Sequence, residues 1–493
     1  MYGISDQNLV LRMEEAERIL DKDYLQFQNI IVENNIKYDT PLWDITCFLI
    51  YCTLSSKSIK KQKWVEYWYK FSKTRRYANL VYMVPASYVA LSDLRKAKNF
   101  FVNLLEQCIK ATKELSWETF LAIFFQFKAS VKPSFNKRDF TLFRTIIDRQ
   151  TMVTSELKEH LDIDLSNISK YKKVLNSKKV LHQGISLNYH KLDLTIYGIM
   201  FESPLTNETD LFSELSKSVF FHSVYTGNVG CRTSLSYYVA PRFEQVENDI
   251  KKLSRRICNK QRIPYYRIFR FQTETRLKSF NYALYDYKKG SWNINPQYLQ
   301  FTLQDYDSKL IDSVPILTRD FENNEYEKLR LNKTGLEILN HILANRHLSI
   351  REIVRDLKIS EKDAKKQVER LKSNSLYKLR YNPLFVFGLK HLILFLDESP
   401  ENHLEIHKTL SFFPEVYSEQ YDSEGKKGLY FVLRIPYELV VDAIETLTLY
   451  FKGRIENLFI VDQMHTRRYQ LPIEKYETVF QEWKYSSEDI LGG

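Results

Sequence analysis

The feature that most constrains the fold of this 493-residue chain is an internal repeat. When the sequence is shifted by 196 residues, Leu175 falls on Leu371 and Glu202 falls on Glu398. After small changes in length, the segment SLSYYVAPRFEQVENDIKKL falls on GLYFVLRIPYELVVDAIETL. The two copies, at 139–292 and 331–486, agree in hydrophobic pattern more than in identity. They are therefore expected to share one fold.

The first part of each copy has apolar residues at helical spacing. In copy two this predicts helices at 334–344, 349–357 and 360–373, then an aromatic stretch at 377–387 that forms two short strands or a wing. Copy one predicts helices at 140–147, 154–161 and 165–176, then a wing at 180–189. Ser349 and Ser360 are the expected N-caps in copy two. Three short helices and a β-wing indicate a winged helix-turn-helix.

The second part of each copy changes to a mixed strand and helix pattern. The elements predicted in copy two are 391–396, 402–410, 416–421, 429–435, 439–450 and 458–461. The counterparts in copy one are 194–201, 210–218, 223–228, 234–239, 243–255 and 265–271. The order is βαββαβ in both copies, which predicts a ferredoxin-like domain.

Two segments of each copy carry further detail. The third helix contains Ile359, Ser360, Lys362, Asp363, Ala364, Gln367, Val368 and Leu371 in copy two, and Ile163, Asp164, Ser166, Asn167, Ile168, Tyr171, Lys172 and Leu175 in copy one. The strand pair contains Pro414-Glu415-Val416, Gly425 and Ile435-Pro436 in copy two, and Val224, Gly230 and Ala240-Pro241 in copy one. These segments resemble the recognition helix and the effector-domain strands of the Lrp/AsnC family of archaeal and bacterial transcription regulators.

The resemblance implies a winged helix that reads DNA and ferredoxin-like domains that pair sheet to sheet. Here one chain holds both copies, so they can pair within the chain as a pseudo-dimer. The family has an Arg where this chain has Gln367 and Tyr171, and an Asp after the glycine turn where it has Gly428 or Thr233. That turn belongs to the amino-acid effector site in the family, so an amino-acid effector is doubtful.

The charge distribution supports a nucleic-acid partner. Residues 331–381 contain 12 Lys and Arg against 6 Asp and Glu, whereas residues 382–493 contain 11 against 18. A basic module next to an acidic one is typical of a DNA-reading head on a regulatory body. The expected DNA contacts on the third helices are Ser166, Asn167, Ser169, Lys170, Lys173, Ser360, Lys362, Lys365, Lys366 and Arg370. The alternative is that these residues form an ordinary solvated helix face.

Residues 1–138 predict a basic helical domain, with a possible degenerate helix-turn-helix. Eight basic residues between Lys57 and Arg76 alternate with Trp, Tyr and Phe, a combination that suits a nucleic-acid backbone. The possible additional nucleic-acid contacts are Lys57, Lys60, Lys61, Lys63, Arg75 and Arg76. A helix with an aromatic buried face and a lysine-rich exposed face explains the same pattern equally well.

The sequence contains no motif that indicates catalysis. Only 13 glycines are present, and no phosphate-binding loop or GxSxG, HExxH or GxGxxG motif occurs. His403 and His407 have the spacing of one helical face, but no third metal ligand is evident, so we interpret them as surface histidines. The five scattered cysteines, and the absence of a signal peptide or long apolar run, favour a cytoplasmic protein without membrane contact.

Together these patterns predict an α+β chain. Its expected domains are a helical domain at 1–138, winged helices at 139–192 and 331–388, ferredoxin-like domains at 193–292 and 389–486, and a linker at 293–330. The predicted function is a DNA-binding transcription regulator that is not an enzyme and needs no cofactor. Its partners would be double-stranded DNA, and possibly a second copy of itself or the transcription machinery. The alternative is an architectural chromatin or assembly protein whose winged helices contact protein, or bind nucleic acid non-specifically.

Overall fold

The structure is a computed structural model that describes residues 135–178, 181–203, 208–229, 231–294, 316–317, 328–345, 349–383, 388–466 and 471–492. The chain divides into two compact units, Met1–Lys132 and Pro133–Gly493, and every described residue belongs to the second unit. The basic stretch at 57–76 lies outside the described residues, as does nearly all of the predicted domain at 1–138.

Copy one begins with three helices and continues as a mixed α/β domain. Its helices are α1 (Lys137–Arg149), α2 (Thr154–Lys158), α3 (Leu165–Lys178), α4 (Glu208–Leu215) and α5 (Glu244–Gln261). Its strands are β1 (Leu181–Leu187), β2 (Leu194–Ser203), β3 (Phe221–Val229), β4 (Cys231–Pro241), β5 (Tyr265–Phe280), β6 (Tyr285–Asp286) and β7 (Ser291–Trp292). A short strand, β8 (Ile316–Leu317), follows.

Copy two repeats this order and ends in one additional short helix. Its helices are α6 (Lys333–Asn345), α7 (Ile350–Leu357), α8 (Glu361–Ser373), α9 (His403–Leu410), α10 (Val440–Tyr450) and α11 (Glu488–Leu491). Its strands are β9 (Tyr377–Pro383), β10 (Leu389–Leu396), β11 (Glu415–Ser423), β12 (Lys426–Pro436), β13 (Ile455–Thr466), β14 (Tyr476–Glu477) and β15 (Glu482–Trp483). The chain is a mixed helix and sheet protein, as expected in outline, and Ser349 and Ser360 cap α7 and α8.

The two four-stranded sheets join edge to edge into a closed barrel. The strand order is β11-β12-β10-β13-β3-β4-β2-β5, and β5 pairs with β11 to complete the circle. Closure removes the exposed sheet edges through which copies of a chain can pair. The two copies are therefore paired within one chain. Helices α4 and α5 pack outside the barrel over a core that includes Phe201, Tyr238 and Leu253.

The seam between β3 and β13 depends on Gly227. This residue pairs with Val461, and a Cβ atom at its position would lie 1.8 Å from the carbonyl oxygen of Ile460. Real side chains do not tolerate such an approach, so glycine lets the two copies come together here. The opposite seam, between β5 and β11, contains an insertion in β5 that is important for the site described below.

The predicted wings differ from the observed strands. Each copy was expected to form its own wing, but β1 of copy one pairs antiparallel with β9 of copy two along seven residues. The side chain of Gln150 continues this ribbon, because its amide both donates to the Tyr381 carbonyl (2.9 Å) and accepts from the Tyr381 backbone N–H (3.0 Å). The backbone N–H and carbonyl groups of β1 and β9 thus form hydrogen bonds with a strand of the other copy. None of the helices in the described part of the chain is long and apolar enough to cross a membrane.

Candidate functional site at the bulge of strand β5

Strand β5 carries a wide bulge at its seam with β11. Ser418 pairs with Leu277 and Gln420 pairs with Gln272, so four residues of β5 (Thr273, Glu274, Thr275 and Arg276) lie opposite the single residue Glu419. The Thr275 hydroxyl closes the bulge, since it donates to the Gln272 carbonyl (2.7 Å) and accepts from the Gln420 N–H (2.8 Å). Bulges of this kind re-aim side chains and are common beside active sites.

The bulge directs two charged side chains to different partners. Arg276 donates from Nε and Nη2 to Oε2 of the buried Glu419, at 3.1 and 2.8 Å. Glu274 instead reaches His190, whose Nε2 lies 2.5 Å from Glu274 Oε2. The bulge thereby holds both the Arg276–Glu419 ion pair and the Glu274–His190 pair.

His190 begins a short 3-10 turn, His190–Leu192, between β1 and β2. The turn closes with Asp193 in the left-handed conformation at φ 58°, where its N–H donates to the His190 carbonyl (2.9 Å). An Asp adopts this conformation more readily than most residues. The turn leaves the imidazole with 10% of its side-chain surface exposed, beside a largely exposed Arg242.

Arg242 is the third member of this site. It follows β4, its backbone N–H donates to the Asp193 carbonyl (3.2 Å), and its guanidinium contacts both ring nitrogens of His190. If His190 Nε2–H donates to Glu274, then Nδ1 is left to accept from Arg242 Nη2. The imidazole is then oriented by a carboxylate on one side and a guanidinium on the other.

The electrostatic environment of Glu274 combines two opposing effects. Burial raises the pKa of the Glu274 carboxyl, and the charges of Arg242, Arg276 and Arg270 act in the opposite direction. Titratable groups with such competing influences are typical of functional sites. Arg270, whose charge acts on Glu274, leaves 53% of its side chain exposed and lies 3.7 Å from Asp422.

This arrangement can transfer a proton and bind an anion. A carboxylate-oriented imidazole can donate or accept a proton near neutral pH. Guanidinium groups form paired, charge-assisted hydrogen bonds to carboxylates. The site therefore has the groups needed for acid–base chemistry on an anionic ligand.

The residues predicted to contact DNA occupy the exposed faces of α3 and α8. Ser166, Asn167, Ser169, Lys170 and Lys173 are all exposed on α3, as are Ser360, Lys362, Lys365, Lys366 and Arg370 at α8. Three residues of α8 have partners within the fold. Ser360 caps the helix, Lys365 pairs with Glu361 (2.6 Å), and Arg370 donates to the Arg330 carbonyl (3.1 Å). Lys57, Lys60, Lys61, Lys63, Arg75 and Arg76 lie outside the described residues.

The interpretation of His403 and His407 as surface histidines is wrong. Helix α9 packs on β11, and His403 is 5% exposed and His407 is fully buried. His403 Nε2 and His407 Nδ1 both lie 2.7 Å from the Ser418 hydroxyl, so the shared spacing serves a hydrogen-bonded core contact. Within the ranges that the structure describes, no group of three or more His, Cys, Asp or Glu side chains could hold a metal ion.

Sequence reasoning missed His190, Arg242 and Glu274. They lie in three separate elements and belong to no recognisable motif. One signal is present: the polar run QTETR at 272–276 directly follows Phe271, the end of the predicted strand. In the structure β5 continues to Phe280, and this run forms the bulge.

Comparison with known proteins gives a weak likeness to one enzyme. No family model and no curated protein matches the sequence. A crystal structure of the siroheme decarboxylase NirDL is similar with 14% identity and a TM-score of 0.38, over 72% of this chain and 96% of that one. The same enzyme in co-complex with an iron-uroporphyrin III analogue is similar with 12% identity and a TM-score of 0.37, over the same shares.

These comparisons correct the functional prediction. The similar structures are of an enzyme, and one of them holds an iron-uroporphyrin III analogue. The predictions of an Lrp/AsnC-type transcription regulator, of a chain without enzymatic activity and of double-stranded DNA as its partner are therefore wrong. The likeness is too low to assign an activity to this chain, so a function has to be argued from the site itself.

Proposed function

We propose that this chain is an acid–base enzyme that acts on a carboxylate-bearing small molecule at the bulge of β5. The observation that carries the proposal is the 2.5 Å contact between His190 Nε2 and Glu274 Oε2, with the Arg242 guanidinium against the same ring. The site combines an imidazole, a partly buried carboxylate and guanidinium groups whose charges act on that carboxylate, a combination that is typical of functional sites.

Each residue has a separate role in this proposal. His190 exchanges a proton with the substrate through Nδ1, once the substrate carboxylate has drawn the Arg242 guanidinium away from that nitrogen, and Glu274 orients the imidazole through Nε2. Arg242 and Arg270 bind a substrate carboxylate, because both are exposed to solvent and the charges of both act on Glu274. Arg276 is engaged with Glu419 and supports the bulge from inside the barrel.

The candidate substrates are heme-related tetrapyrroles with carboxylate side chains. Several carboxylates on one rigid molecule would match a site bordered by more than one arginine. An iron-uroporphyrin is such a molecule, and it is the probe we choose because an analogue is bound in one of the similar structures. The choice of probe follows that comparison, whereas the argument for the site rests on its own geometry.

An absorbance titration of the full chain with iron-uroporphyrin III tests the proposal. We expect saturable binding by the wild-type chain, and about tenfold weaker binding by His190→Ala and by Arg242→Ala, which corresponds to about 1.4 kcal/mol for each. His341→Ala is the matched control, because His341 also contacts a carboxylate, Asp356, at 3.1 Å, but on the helices of copy two. Equal affinity in all four proteins, or no saturable binding, would refute the proposal.

We also propose the finer description of the fold as tandem winged helix and ferredoxin-like domains. The boundaries are those expected from the sequence: 139–192, 193–292, 331–388 and 389–486, with a linker at 293–330 and a helical domain at 1–138. The helix trios α1–α3 and α6–α8 support the winged-helix description, although β1 and β9 pair with one another. A cytoplasmic location remains part of this proposal, and the free thiols of Cys231 and Cys258 are consistent with it.

A further inference from the structure

The turn that carries His190 belongs to copy one, yet copy two supplies much of what holds it. We infer that copy two positions the acid–base site, and that Trp483 is its main positioning residue. This inference rests on the proposed function, because it concerns the same His190. The inference adds a way in which the activity of the site could be regulated, because a shift of copy two would move the His190 imidazole.

Hydrogen bonds from three separate segments reach the turn. The indole Nε1–H of Trp483 donates to the Leu192 carbonyl at 2.6 Å. The Leu329 backbone N–H donates to the Lys191 carbonyl at 2.7 Å, and Lys191 Nζ donates to the Asn374 carbonyl at 2.7 Å. Leu329 lies at the end of the linker, just before α6, whereas Asn374, just after α8, and Trp483, in the last hairpin, belong to copy two.

Apolar side chains also pack the His190 turn against copy two. Leu187, at the end of β1, and Leu192, the last residue of the turn, are buried in one cluster with Leu336, Leu339 and Trp483 of copy two. Leu192 is 3% exposed and Trp483 is 4% exposed, so their hydrogen bond is shielded from water. A shielded bond whose loss would leave a buried carbonyl unpaired fixes a turn more firmly than an exposed one.

Residues beside the turn are held as well. Asp193, directly after the turn, accepts from Lys328 Nζ of the linker at 2.8 Å, and Asn188, two residues before the turn, donates its N–H to the Leu376 carbonyl of copy two at 2.8 Å. Glu274, on β5, and Arg242, directly after β4, belong to copy one. Because His190 is held from copy two and its partners are fixed in copy one, docking of copy two sets their geometry.

Replacing Trp483 by Phe tests this coupling, since Phe keeps the ring but loses the N–H donor. The matched control is Trp292→Phe, because Trp292 occupies the corresponding hairpin of copy one and packs on Tyr285 as Trp483 packs on Tyr476. The readout is the ¹⁵N imidazole NMR spectrum of the full chain, in which His190→Gln identifies the His190 signal among ten histidines. We expect Trp483→Phe to shift or broaden that signal and to weaken binding of iron-uroporphyrin III about tenfold, whereas Trp292→Phe changes neither.

A second variant covers the case in which Trp483→Phe does not fold. Lys191→Met removes the partly buried contact of Nζ with the Asn374 carbonyl, and we expect a smaller shift of the same His190 signal. A His190 signal that is unchanged in both variants would overturn the inference. If the wild-type chain fails to bind the probe, the proposed function fails, while the NMR comparison still decides whether copy two positions His190.

Discussion

The hydroxyl groups of Tyr237 and Tyr430 lie 2.6 Å apart inside the barrel. Tyr237 is on the third barrel strand of copy one and Tyr430 is on the third barrel strand of copy two. Burial, followed by the neighbouring tyrosines, raises the pKa of Tyr237 well above its ordinary value, so the pair is neutral and shares a hydrogen bond. This contact joins the two copies in the interior, away from both seams.

We expect Tyr430→Phe to lower the free energy of unfolding by about 1–3 kcal/mol, because the Tyr237 hydroxyl would lose its partner in a buried place. The double variant with Tyr237→Phe should cost less than the sum of the two single variants, since both polar groups are then gone. Urea unfolding of the wild type, the two single variants and the double variant measures the coupling energy between the two hydroxyl groups. Strictly additive losses would show that the two hydroxyls do not interact.

Gly227→Ala should destabilise the chain strongly, by about 3–5 kcal/mol, because its Cβ would collide with the Ile460 carbonyl oxygen and open the β3–β13 seam. Gly453→Ala is the control. Gly453 has a φ of +76° but open space around it, so only backbone strain of about 1 kcal/mol is expected. Thermal unfolding of both variants separates the two effects, and equal losses would contradict the assigned role of the seam.

The buried histidines predict a dependence of stability on pH. Burial, and then the charge of His403, lower the pKa of His407 to about 3, against an ordinary value of 6.5. Below pH 6.5 the unfolded chain therefore binds a proton that the folded chain excludes. Stability should fall as the pH drops from 6.5 toward 3, by about 1.4 kcal/mol per pH unit for this one group.

Chemical unfolding between pH 4 and 7 measures this slope, and His407→Leu is the comparison. The variant lacks the titrating group, so its stability should fall less steeply with decreasing pH than that of the wild type. The same slope in both proteins would mean that His407 is not excluded from protonation in the folded chain.

Much of the fold could be predicted from the sequence, because both copies repeat one hydrophobic pattern. The period of apolar residues placed most helices and strands, and Ser349 and Ser360 marked two helix starts that the structure confirms. The pairing of β1 with β9 could not be predicted in the same way. It depends on which strand edges face each other after folding, and a local pattern carries no information about this.

The site could not be predicted because its residues meet only in the folded chain. His190, Arg242 and Glu274 come from a turn, a strand end and a bulge, and no spacing connects them. His403 and His407 illustrate the opposite error, since a spacing of four residues looked like an exposed helix face and proved to be a buried one. Spacing indicates which residues share a face, whereas burial decides what that face contacts.

The most direct test of the central claim is a crystal structure of the full chain with iron-uroporphyrin III bound. The account predicts a carboxylate of the ligand within hydrogen-bonding distance of the Arg242 guanidinium, with the ligand next to the His190 imidazole and the His190–Glu274 contact preserved. A ligand bound elsewhere, with the contacts among His190, Arg242 and Glu274 unchanged, would contradict the claim that this is the acid–base site.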